Sequence, residues 1–93
     1  MGRLDPYIEL LAAFVEQGSI DGTMFEKRFS EMFQEEETRF PEAEFLVLDK
    51  LFGDVDAFEP NAELRDEDYL DEQGLRVGAA EALAKLRDLA AIS

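Results

Sequence analysis

The apolar residues of this chain fall into four stripes at helical spacing, separated by short polar breaks. Leu4, Ile8, Leu11, Phe14 and Val15 recur at intervals that place them on one helix face. Asp5-Pro6 reads as an N-cap followed by proline at the first helical position, and Gly18 as a stop signal, so helix 1 is expected over about Asp5 to Gln17. Asp21 reads as the next N-cap, with Ile20 before it and Phe25 at the fourth helical position, the spacing of a hydrophobic staple. Phe25, Phe29, Met32 and Phe33 continue that stripe and predict helix 2 over Gly22 to Thr38, leaving Glu31, Glu35, Glu36 and Glu37 in water. A stripe of Met and Phe at this spacing is read as core rather than as a ligand groove.

Phe40-Pro41 ends helix 2 and opens helix 3, because a residue before proline avoids the α region while proline suits a first turn. Glu42 and Glu44 there agree with the helix dipole. Phe45, Leu48, Leu51, Phe52 and Val55 form the inward face, and Pro60 stops the helix, which is expected over Pro41 to Ala57. Asp71 reads as the cap of helix 4, with Leu70 and Leu75 in a second staple spacing, and Leu75, Ala79, Ala82, Leu83, Leu86, Leu89 and Ala90 mark its stripe from Glu72 to Ala90. Four helices, mostly joined by short connections, predict an all-α fold: an antiparallel four-helix bundle forming a single domain over residues 1–93. The longer connection, between helices 3 and 4, is acidic.

Charge changes the picture at that connection. Nine carboxylates lie between Asp54 and Glu72 against the single base Arg65, a local charge of −8 out of −14 for the chain. Phe58, Leu64, Tyr69 and Leu70 are expected to pin the segment to the core, since disordered acidic tails lack such anchors. Acids such as Asp54, Asp56 and Glu59 near the end of a helix oppose its dipole, at about 0.3 to 1 kcal/mol each. A local penalty of this kind points to a binding role. The candidate binding residues are Asp56, Glu59, Glu63, Asp66, Glu67, Asp68 and Asp71. Their sign repels nucleic acid and anionic lipid and selects a basic protein as partner.

Composition removes most other chemistry. Hydrophobic content of 46% with eight Phe belongs to a folded body. Zero Cys and zero His exclude thiol catalysis, disulfides and the commonest general base and metal ligand. A calcium loop starting at Asp54 would place Phe58, Glu59 and Arg65 at its fifth, sixth and twelfth positions, and one starting at Asp66 places Leu70 and Asp71 at its fifth and sixth, so both frames fail. A looser divalent-ion site among Asp66, Glu67 and Asp68 is the remaining metal option, and neither a metal nor a cofactor is expected. Ser19, Ser30 and Ser93 do not sit in the Asp-Ser-Leu setting of an acidic carrier protein. Carboxylate-only hydrolysis needs two acids across a cleft, for which a small bundle has little room, so no enzyme activity is expected. No apolar stretch approaches the ~20 residues that span a bilayer, and a cytoplasmic location is expected.

Leu51-Phe52, Phe58-Glu59-Pro60, Ala62, Arg65, Tyr69, Asp71 and Gly74-Leu75, in that order and leading into a helix, resemble the colicin D immunity protein family. The resemblance covers about Phe45 to Leu89, with the first half matching in outline through its short first helix and the Ile20 to Phe25 opening of the second. It implies a four-helix bundle, monomeric when free, that binds the nuclease domain of a cognate toxin in a 1:1 complex. The toxin of that family looks like a transfer-RNA anticodon nuclease, whose substrate phosphates the inhibitor's acids replace. Asp56 and Glu59 match acidic positions of the family, and Asp71 matches the acid that opens the last helix. The acid that often follows Phe-Glu-Pro is Asn61 here, while Asp66-Glu67-Asp68 lengthens the connection and adds charge. From another class, an acidic adaptor or nucleic-acid mimic docking on a different basic protein satisfies the same charge pattern.

Overall fold

The computed structural model describes residues 4–37 and 39–92 and contains the four expected helices: α1 (Asp5–Val15), α2 (Gly22–Gln34), α3 (Glu42–Ala57) and α4 (Glu72–Ile92). α1 and α3 each pack against α2 and α4, and α2 touches α4 across the diagonal, which makes a four-helix bundle. Among the described residues there is no strand, only one parallel bridge pairing Phe58 with Leu70.

Local chemistry sets the helix ends. Asp21 is extended at φ −93° and ψ 178°, and its carboxylate accepts the Met24 N–H at 2.8 Å, the cap that the sequence predicts. Gly18 takes φ +62°, a left-handed conformation that lets the chain reverse after α1. Other boundaries move. Leu4, not Asp5, is the N-cap of α1, with Asp5 already helical, and α1 closes at Val15 before the expected Gln17. α2 stops at Gln34, and its expected end at Thr38 lies outside the described residues. Successive acids at Glu35, Glu36 and Glu37 oppose the dipole there. Glu36 is not left in water: the Tyr7 hydroxyl donates to its carboxylate at 2.7 Å. Burial first, and then Glu36, holds the Tyr7 phenol far above its ordinary range, so it remains a donor. Pro41 is the N-cap of α3 rather than its first residue, with extended ψ of 153°, while α4 meets no breaker and runs on to Ile92.

The core joins all four stripes. Tyr7, Leu11 and Phe14 of α1, Phe25 and Phe29 of α2, Leu48, Leu51 and Val55 of α3, and Leu75, Ala79, Leu83 and Leu86 of α4 are buried. An aromatic file runs through it: Phe14 stacks on Phe25 at 4.7 Å between ring centres, Phe25 on Phe29 at 5.9 Å, Phe29 on Phe33 at 5.7 Å, and Phe33 leans on Phe52 at 5.4 Å. The buried face of α1 is wider than expected, adding Tyr7, Leu10 and Ala12, because α1 is flanked on two sides. Phe45 is corrected outward: 45% exposed, it lies at the rim against Phe33 instead of in the core.

The α1–α2 reversal is fastened from α4. The Gly22 N–H, an unpaired donor at the start of α2, gives its hydrogen to Glu72 Oε1 at 2.7 Å. One turn on, Arg76 donates to the Phe14 carbonyl near the end of α1 and lies 4.3 Å from the centre of the Phe14 ring. A Cβ at residue 22 would stand 2.9 Å from both Glu72 Oε1 and Phe58 Cζ, so this contact requires glycine.

Phe29→Ala is expected to cost about 3 to 5 kcal/mol, the range for emptying a buried phenylalanine site. Phe45→Ala should cost under about 1 kcal/mol as a rim substitution. Urea unfolding of both variants checks the assignment, and equal losses would contradict it. Gly22→Ala is expected to destabilise as well, because Phe58 or Glu72 must move, and the same titration measures that loss.

Candidate functional site

The acidic connection closes on itself at its base. Glu59 N–H donates to the Leu70 carbonyl at 2.9 Å, and Leu70 N–H donates to the Ala57 carbonyl at 2.8 Å, so the two ends of the connection are tied side by side. Phe58 is buried and Leu70 half-buried, and these two provide the anchoring. Leu64 and Tyr69, expected to anchor too, are 64% and 45% exposed, because the loop between the tied ends stands away from the bundle. A compact loop with adjacent ends is held by its own polar groups.

Those groups are identifiable. The Asn61 side chain accepts the Glu63 N–H at 3.0 Å, and Asp66 accepts the Asp68 N–H at 2.9 Å, two turns in which a short polar side chain replaces a backbone acceptor. The lone base, Arg65, donates through Nε to the Glu59 carbonyl at 3.0 Å and through Nη2 to the Pro60 carbonyl at 3.4 Å. Its guanidinium therefore clamps backbone across the loop. Asn61 thus has a structural task in the loop.

The seven acids predicted from sequence separate by environment. Asp71 caps α4, accepting the Gly74 N–H at 2.7 Å. Asp66 holds its turn, and Glu59, half-buried, accepts the Asn61 N–H at 3.4 Å. Asp56, Glu63, Glu67 and Asp68 are exposed and enter none of the ion pairs among the described residues. Asp54 differs from the cluster: it pairs with Lys50 at 2.8 Å and packs where α4 carries Gly78, whose missing Cβ would lie 2.5 Å from its Oδ2. Among the described residues no group of acids is arranged to hold a metal ion, the Asp66 to Asp68 run included.

One acid escaped the sequence reading. Glu26, one turn into α2, is half-buried, and its carboxyl is held above its ordinary value first by burial, then by the charges of Glu59 and Asp56. The acidic surface therefore reaches across from the loop base to α2. The signal was the Gly22 to Glu26 spacing of four, which puts both residues on one face once Gly22 is known to meet Phe58.

The arrangement is a helical bundle with a self-braced loop whose exposed carboxylates enter none of the ion pairs among the described residues. Residues 3–86 match the family described as bacterial self-protective colicin-like immunity, and the chain belongs to that family. Its function is accordingly to bind and inhibit a bacteriocin toxin. No curated protein matches the chain. Among the described residues no helix is long and apolar enough to cross a membrane.

Glu26 gives a pH-dependent prediction. A carboxyl whose folded value is raised binds its proton more tightly in the folded state, so stability falls as pH rises from the ordinary value of 4.5 through the raised one. Glu26→Gln is expected to gain stability over the natural chain at neutral pH and to lose that gain below 4.5. Urea unfolding across this pH range checks it, and a gain independent of pH would contradict the assignment.

Proposed function

We propose that this immunity protein is of the colicin D type: a monomer in the cytoplasm that binds, one to one, the basic nuclease domain of its toxin. The toxin is a transfer-RNA anticodon nuclease, and the acidic loop covers its active site in place of the substrate's phosphates. The observation that carries this reading is the set Asp56, on the last turn of α3, with Glu63, Glu67 and Asp68 on a loop whose backbone is already braced, all exposed and outside the ion pairs among the described residues. A nuclease cleft is lined with cations that position phosphates, and an array of carboxylates on fixed backbone is its electrostatic complement.

The residues divide the work. Asp56 and Glu59, at the end of α3 and the loop base, meet the cations of the cleft, while Glu63 and the Asp66 to Asp68 run extend the field that guides encounter. Asp71 contributes charge from the start of α4 while capping it. Bracing matters because ordering a loop on binding costs about 0.5 to 1.5 kcal/mol per immobilised side chain. A loop already held by Arg65 and its turns avoids much of that cost.

Association with the toxin domain is expected to be fast at low salt and to slow as salt rises. Replacing Asp66, Glu67 and Asp68 by Asn, Gln and Asn should lower the association rate further. Close charge pairs in a nuclease–inhibitor interface couple by about 1.5 to 7 kcal/mol, so Asp56→Ala and Glu59→Ala should each speed dissociation by several decades. Toxin activity on transfer RNA in the presence of each variant is the deciding measurement. Full protection by a chain lacking the carboxylates of Asp56, Glu59 and Asp68 together would overturn substrate mimicry by these residues.

A further inference from the structure

Between α2 and α3 runs an open groove of about 530 Å³, separate from the loop. Phe52 and Val55 supply its apolar lining, and Glu26, Lys27, Glu31 and Asp56 its charged lining. Phe52 and Asp56 stand four apart on α3, so an apolar and an anionic group share one helix face there. Opposite, Glu26 is the half-buried carboxylate of α2. Three acids against one lysine leave the groove negative.

We infer that this groove receives a lysine or arginine side chain of the toxin, its alkyl stem against Phe52 and Val55 and its cationic head between Glu26 and Asp56. Only a residue of that build matches both linings, because long basic side chains lay their methylenes on apolar surface and keep the charge at the polar end. Charge complementarity favours it over an apolar occupant. Burial and the charges of Asp56 and Glu59 hold Glu26 at an elevated energy in the free protein, and a cation seated beside it relieves that repulsion. The groove also gives α2 a part in recognition, so the toxin grips the bundle as well as the loop. This rests on the proposal that the toxin's facing surface is basic.

The test uses Nα-acetyl-arginine N-methylamide as probe and the uncharged citrulline analogue as control, followed by amide NMR on the full chain. The arginine probe is expected to shift the resonances of Glu26, Phe52 and Asp56 more than the citrulline analogue does. The double variant Glu26→Gln, Asp56→Asn should reduce the arginine response at Phe52 by about threefold, in keeping with a partly exposed ion pair. Both substitutions preserve shape, and an unchanged amide spectrum elsewhere shows that the fold survives. The variant Asp66→Asn, Glu67→Gln, Asp68→Asn should leave the groove response intact, which separates the groove from the loop. Equal shifts with arginine and citrulline, or shifts centred on residues 66–68, would overturn the inference while leaving loop-based inhibition to its own protection assay. A groove response that persists while the Asp66→Asn, Glu67→Gln, Asp68→Asn chain protects fully would uphold the groove and remove residues 66–68 from the inhibitory contact.

Discussion

The Glu72 and Arg76 pair, one turn apart on α4, holds the bundle's geometry at the end that carries the acidic loop. Glu72 satisfies an amide at the start of α2, and Arg76 satisfies a carbonyl near the end of α1 while covering the Phe14 ring. Both backbone groups belong to helix termini, which have no partner within their own helix. A single turn of α4 thus completes two other helices. Because Gly22 has no side chain, Glu72 and the Phe58 ring both come close to the start of α2, and the base of the acidic loop is fixed with respect to α2. Glu26 then lies within electrostatic reach of Glu59 and Asp56 as a result of packing rather than of sequence proximity.

Charge and stability oppose each other at that end of the molecule. Carboxylates on the last turn of α3 work against its dipole, and the region carries few bases to compensate. Asp54 is relieved by Lys50, whereas Asp56 has no such partner among the described residues. Arg65 could have neutralised a neighbour but donates to backbone carbonyls instead. Its charge shapes the loop, and the exposed acids keep theirs. The aromatic file from Phe14 to Phe52 provides the apolar burial against which this repulsion is tolerated.

Most of the fold was legible because apolar periodicity, the Asp21 and Asp71 caps, Gly18 and the prolines all act locally. What escaped was non-local. Tyr7 does not stand out in its stripe until its hydroxyl is seen to meet Glu36, and Phe45 keeps the helical phase of core residues although the neighbouring helices do not cover it. The acidic loop was legible as charge and as a connection, but not as a braced loop. Asn61 and Asp66 make turns through side-chain oxygens, and Arg65 reaches back across several residues, so composition alone could not show which acids were occupied. Glu26 escaped for the same reason: its neighbours come from α3 and the loop.

The bridge between Phe58 and Leu70 also bears on how such a protein can diversify. With the two ends of the loop tied together, residues 60–69 are bounded by backbone hydrogen bonds whose formation does not depend on which side chains the tip carries. Substitutions or inserted residues at the tip can therefore alter the exposed charge of the loop while the helices beneath keep their register. Change within residues 60–69 is thereby uncoupled from the scaffold, and the run from Asp66 to Asp68 lies wholly inside that span.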